Sequence, residues 1–131
     1  MTTKPTHAAR RRPVQREHFE QKALFQWARL QSRAIPELAL LFAIPNGGKR
    51  SKAVAGKLKA EGVKAGVPDI CLPVARRQYH GLFIELKAKG GRPSDTQLEW
   101  GRALSAQGYC VQLCVGWDVA KVAIEDYLRQ I

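Results

Sequence analysis

The stretch "GVPDICLPVARRQYHGLFIELKAKGG", residues 66–91, limits the fold more than any other part of the chain. Two short apolar runs, residues 69–74 and 81–87, flank the polar connection "ARRQYH". Runs of this length, rich in branched and aromatic residues, read as strands, and so short a connection makes them antiparallel neighbours. Each run also carries a carboxylate. Asp69 opens the first, and Glu85 stands inside the second, two residues before Lys87. An unpaired carboxylate in a low-dielectric interior loses several kcal/mol of solvation. A sheet that keeps two of them needs a cation, a proton or a partner at that place.

The remaining chain supplies the elements that would cover such a sheet. "EHFEQKALFQWARLQSR", residues 17–33, has helical spacing, with Glu20, Leu24, Trp27 and Gln31 near one stripe, and Pro36 ends it. "LALLFAI", residues 38–44, reads as a strand, and "PNGG" after it as a turn. A basic helix follows and stops at Gly62. Ser94 with Gln97 three residues on has the spacing of a capping box, opening a helix that runs to Gln107 and stops at Gly108. "YCVQLCVG" reads as a strand and "WDVAKVAIEDYLRQI" as an amphipathic helix. The expected order is helix, strand, helix, strand, strand, helix, strand, helix. That is an α/β sandwich, a short mixed sheet with helices on its faces.

With 131 residues, 45% of them apolar, the chain suits one globular domain. We divide it into a flexible basic arm, residues 1–16, and a folded domain, residues 17–131. Lys and Arg number 22 against 11 Asp and Glu, a net charge of +11 that favours polyanionic partners. No apolar run is long enough to span a bilayer, so no membrane partner is expected. The N-terminus lacks the apolar stretch of a secretory signal. Cys71, Cys110 and Cys114 all fall in apolar runs without a CxxC or histidine pattern, as expected of small buried hydrophobes in a reducing, cytoplasmic setting.

Side chains alternate along a strand, so Glu85 and Lys87 share one face, with Ile84 and Leu86 on the other. Asp69, at the mouth of the neighbouring strand, then lies beside Glu85. Two carboxylates that close repel unless a cation lies between them or one is protonated. Mg²⁺ suits the place, being held by one or two carboxylates with waters and substrate phosphate. Lys87 would point at the same region, where it can stabilise charge developing on phosphorus. Taken singly, "PD" is also a turn pair and "ELK" a same-face ion pair at a sheet edge. Together, with Glu85 sixteen positions after Asp69, they form a constellation for phosphodiester hydrolysis.

Pro68–Asp69 with Glu85–Leu86–Lys87 resembles the PD-(D/E)xK nuclease signature. More narrowly, the chain resembles a stand-alone VRR-NUC (virus-type replication-repair nuclease) domain through "EHFEQKALFQWA", "FAIPNGGKR", "LKAEGVKAGVPDICLPV", "GLFIELKAKGGRPSDTQLEW" and "GYCVQLCVGWDVAKVAIEDYL". The resemblance implies a restriction-endonuclease-like fold and divalent-metal cleavage of DNA, with Mg²⁺ or Mn²⁺ as cofactor. Small members look similar to Holliday junction resolvases, which work as homodimers. Carried over by position, Asp69 and Glu85 would hold the metal, with the backbone carbonyl of Leu86 as a third ligand and Lys87 as the catalytic lysine. The family also uses a glutamate of the first helix, for which both Glu17 and Glu20 qualify. Gln97 matches a downstream helical glutamine, expected at the metal water or the phosphate in addition to its capping position.

"NGG", Asn46, Gly47 and Gly48, suits a loop whose backbone approaches DNA closely. Lys49, Arg50, Lys52, Lys57, Lys59 and Lys64 beside it would hold phosphates without reading bases. Trp27, Trp100 and Trp117 fit core or dimer contacts better than base-stacking platforms. The expected function is a metal-dependent endodeoxyribonuclease acting on branched DNA, four-way junctions foremost, as a homodimer. The alternatives are a monomeric flap or non-selective nuclease, and a DNA-binding protein that has lost cleavage.

Overall fold

A computed structural model describes residues 13–45 and 51–131. Its centre is the pair of strands expected from residues 66–91. β2 (Ile70–Leu72) runs antiparallel to β3 (Leu82–Lys87), with Ile70 opposite Ile84 and Leu72 opposite Leu82. β4 (Cys110–Val115) lies on the other side of β3 and parallel to it, with Glu85 opposite Leu113 and Lys87 opposite Val115. Parallel neighbours need a crossover connection, and α3 (Asp95–Ala106) supplies it. β1 (Phe42–Ala43) pairs with β2 to complete a mixed sheet in the order β1-β2-β3-β4.

The two faces of the sheet differ. Leu82, Ile84 and Leu86 of β3, with Ile70 and Leu72 of β2, are buried to 1% exposure or less in one apolar cluster. Leu24 and Ala28 of α1 (Pro13–Gln31) and Ala120, Ile124 and Tyr127 of α4 (Trp117–Arg129) join that cluster. Leu24 and Ala28 lie one helical turn apart, so α1 meets the sheet along one stripe. The Tyr127 hydroxyl, buried among these residues, donates to the carbonyl of Val74. α3 lies on the opposite face, against β4, and has no fully buried residue. Phe83, Glu85 and Lys87 point to that second face, which is therefore the thinly covered one.

The sequence expectations hold for most elements and fail at two places. Residues 38–44, expected as a strand, are not one strand. Pro36–Leu40 form a 3-10 helix, and only Phe42–Ala43 pair with the sheet. Proline at the first helical position fits a helix start, and a short apolar run does not by itself separate a strand from a buried turn of helix. The first helix also starts earlier than expected: Pro13 to Arg16, assigned above to the basic arm, already belong to α1. The rest of that arm, residues 1–12, lies outside the described residues. α2 (Lys52–Ala60) is capped by Ser51, whose hydroxyl accepts from the Val54 N–H, and it has no buried residue.

Candidate active site

The site forms at the C-terminal end of β3, where three other segments arrive. Asp69 precedes β2 and one of its carboxylate oxygens accepts from the Leu86 N–H at 2.9 Å. In an extended strand the N–H and C=O of one residue leave toward the same edge. The Leu86 carbonyl is thereby directed to the Asp69 side. Glu85 is 6% exposed and Lys87 7% exposed, the two buried charged residues of the sheet. Lys87 Nζ lies 3.6 Å from Glu85 Oε1 and 3.8 Å from Glu17 Oε1.

Gln97 caps its own helix as expected and also reaches the carboxylate of Glu85. Its side-chain oxygen accepts from the Ser94 N–H at 2.8 Å, and the Ser94 hydroxyl accepts from the Gln97 N–H, which closes the capping box of α3. Its amide nitrogen donates to Glu85 Oε1 at 2.8 Å. One residue thus ties the start of a helix to the carboxylate on the strand below it. The second oxygen, Glu85 Oε2, is buried with no hydrogen-bond partner among the described residues. Burial above all, then the neighbouring charge of Asp69, pushes the Glu85 carboxyl up to about 8. Glu17 is also raised, by burial first, with Lys87 pulling the other way.

The two glutamates of α1 separate cleanly. Glu17 faces Lys87, whereas Glu20 Oε2 accepts from the Trp117 N–H at 2.6 Å, at the first residue of α4. That N–H is one of the donors a helix start leaves unsatisfied. No side chain of Gly116, the residue preceding α4, can fill the role. Glu20 therefore caps a distant helix and is not part of the cluster.

Two glycines that the sequence did not single out shape the site. A Cβ on Gly91 would lie 3.3 Å from Glu17 Oε1 and 3.4 Å from Lys87 Cβ, so its small size lets Glu17 reach the lysine. Gly66, at φ +89°, brings the loop before Asp69 so close to α3 that a Cβ would stand 2.4 Å from Thr96 Cγ2. Doubled "GG" at 90–91 and the glycine ahead of "VPD" were the available signals.

The expected DNA contacts are only partly within view. Asn46, Gly47, Gly48, Lys49 and Arg50 lie outside the described residues. Lys52, Lys57, Lys59 and Lys64 are all exposed, on or just after α2. Trp27 and Trp117 pack against the core cluster, as expected of structural tryptophans. Cys71 and Cys114 are buried, and burial pushes both thiols up, Cys114 to about 11.

The donor set fits a hard divalent cation. Among the described residues no three His, Cys, Asp or Glu side chains are grouped closely enough to hold a metal alone. Two carboxylates, one of them with an orphaned buried oxygen, and one carbonyl nevertheless match Mg²⁺, which keeps several waters and takes part of its shell from substrate phosphate.

A mixed sheet with helices on both faces, and acids beside a lysine at the end of a central strand, is a restriction-endonuclease-like α/β fold. The sequence profile of the VRR-NUC domain matches residues 7–118. The chain belongs to the VRR-NUC domain family, a family of nucleases. A solved structure described as a "VRR_NUC domain protein" superposes with a TM-score of 0.74 at 29% identity, covering 88% of this chain and 89% of that one. No curated protein matches the chain. Among the described residues no helix is long and apolar enough to cross a membrane.

Proposed function

We propose that the chain is a metal-dependent endodeoxyribonuclease that cuts phosphodiester bonds in branched DNA, four-way junctions foremost, as a twofold dimer. The observation that carries this is the buried, unpartnered Glu85 Oε2 beside Asp69. Without a cation the pair keeps a proton on Glu85, and a divalent ion is the compensation that would let both carboxylates ionise. Asp69, Glu85 and the Leu86 carbonyl would hold Mg²⁺ or Mn²⁺. Bound there, the ion lowers the pKa of water and neutralises the phosphate.

The chain's own residues do the rest. Gln97 fixes the rotamer of Glu85 through the 2.8 Å bond, so the ligand geometry is set before substrate arrives. Lys87 brings a positive charge to the phosphate, where negative charge develops as the bond to the leaving oxygen lengthens. Glu17, 3.8 Å from Lys87 Nζ, holds that ammonium in place and completes the acid cluster. The exposed lysines of α2 would bind phosphates away from the cut. The dimer follows from the substrate: resolving a four-way junction takes two related cuts, and a twofold interface presents two matching sites.

The test is a cleavage panel of junction, flap and plain duplex, with and without Mg²⁺ or Mn²⁺. Metal-dependent nicking of the junction is expected. Asp69→Ala and Glu85→Ala should each lower the rate at least about a hundredfold while junction binding persists. Binding without nicking in any metal would mean a protein that only binds DNA. Nicking confined to flaps would reassign the substrate.

A further inference from the structure

α1 sorts its charges by face. Both of its acids turn inward, Glu17 to Lys87 and Glu20 to the Trp117 N–H. Its bases, Arg16, Lys22 and Arg29, are exposed. Among the described residues neither Lys22 nor Arg29 has an ion-pair partner. Positions 18, 22, 25 and 29 follow helical spacing, so His18, Lys22, Phe25 and Arg29 form a stripe beside the buried one of Leu24 and Ala28. That stripe borders a groove of about 270 Å³, which Gln21 also lines and which Ala43 of the edge strand β1 bounds. No carboxylate lines it. Phe25 packs against the core cluster and gives the groove its apolar patch.

We propose that this groove binds the phosphate backbone of the DNA arm leading away from the cut, with Lys22 and Arg29 as its phosphate contacts. The proposal rests on the nuclease reading above and adds a second, fixed point of attachment for that substrate. An ammonium meets phosphate as a point charge, and a guanidinium meets it through two parallel N–H donors. Seven residues separate the two cations, about 10 Å along the helix axis. At one phosphate per roughly 3.4 Å of each strand, that span covers about three phosphate steps. Phe25, between them, is suited to the sugar, and His18 and Gln21 add further N–H donors.

Continuity selects the substrate over any other anionic partner. The helix that lines the groove also carries Glu17 into the acid cluster, and Leu24 and Ala28 anchor it on the sheet. The groove therefore stands at a set distance from the reacting phosphate. Arg29 follows Glu17 by twelve residues, about 18 Å along the axis. One arm of the substrate then has to extend at least about five nucleotides beyond the cut to reach it. Contacts of this kind position the DNA without reading its sequence.

The test is binding of four-way junction DNA by the full chain without metal, so that no strand is cut. Lys22→Gln together with Arg29→Gln removes both charges and keeps helix propensity. An unchanged far-ultraviolet circular dichroism spectrum checks the fold. The slope of log affinity against log salt should shrink by about two, and affinity at 0.1 M salt should fall at least about tenfold. Lys22→Arg with Arg29→Lys, which keeps both charges, should retain the slope. Trimming the arms one at a time to fewer than about five base pairs should weaken the unaltered protein for one arm and leave the Gln double variant indifferent to it. A full slope in the folded Gln variant would overturn the proposal, as would equal sensitivity of both proteins to trimming. A reduced slope with no cleavage in any metal would keep the groove and discard the nuclease reading. Metal-dependent cleavage with a full slope in the Gln variant would do the reverse.

Discussion

Glu17 and Glu20 stand three residues apart on α1, yet one turns to Lys87 and the other to the backbone of Trp117. Helical spacing puts both on the same side, so sequence periodicity has no means of separating them. The deciding contact comes from a residue 97 positions away. Glu20→Ala is expected to lose a helix cap, at a cost of about 0.5–2 kcal/mol, with little change in cleavage by the folded protein. Glu17→Ala should do the opposite, lowering cleavage with the melting temperature nearly kept. Melting curves and single-turnover rates on both variants check this, and a reversed pattern would exchange their roles. Asp69, Glu85 and Lys87 were legible because strand alternation and a short antiparallel connection fix which side chains meet. What alternation could not reveal is that Gln97 joins Glu85 while also capping its own helix.

Protonation at Glu85 is testable at the same scale. The folded, metal-free protein holds this proton to about 8, against 4.5 for an unperturbed glutamate. Between those values the folded state binds more protons than the unfolded state. Stability therefore falls as pH rises through that window. Mg²⁺ requires the ionised form, so its stabilising effect should be larger at about pH 8 than at about pH 5. Glu85→Gln is expected to flatten both trends in thermal melts with and without Mg²⁺. Unchanged trends in that variant would place the titration elsewhere.

At the scale of elements, the reading from sequence was good where two signals agreed. α3 carried a capping box and a terminal glycine, and both bonds of the box are present. β3 and β4 were apolar runs bounded by turn residues. Residues 38–44 had only an apolar run, and there a 3-10 helix opened by Pro36 takes the first residues while two others reach the sheet. α2 is the element whose role is least structural, since it buries nothing and its lysines are exposed. If Lys57 and Lys59 each hold a phosphate, changing both to Ala should weaken binding to every DNA alike. The slope of log affinity against log salt should then shrink by about one per lysine. Fluorescence anisotropy over a salt series measures it. An unchanged slope would make α2 a solvated helix.

The whole molecule divides by charge and by face. Along the sequence its basic side chains crowd into residues 1–92, residues 93–131 carry slightly more acids than bases and include the open β4 edge, and the acid cluster sits at the end of β3. Fold class and family were both accessible from sequence, because the apolar strands and the "PD…ELK" pair together carry a specific pattern. The free β4 edge was not, since "CVQLCV" reads the same whether its outer side is covered or bare. The most direct measurement is anomalous diffraction from crystals soaked in Mn²⁺. A single strong peak is expected between the carboxylates of Asp69 and Glu85, about 2.0–2.3 Å from their oxygens. An ion bound elsewhere, with Glu85 still protonated beside an empty space, would contradict the assignment.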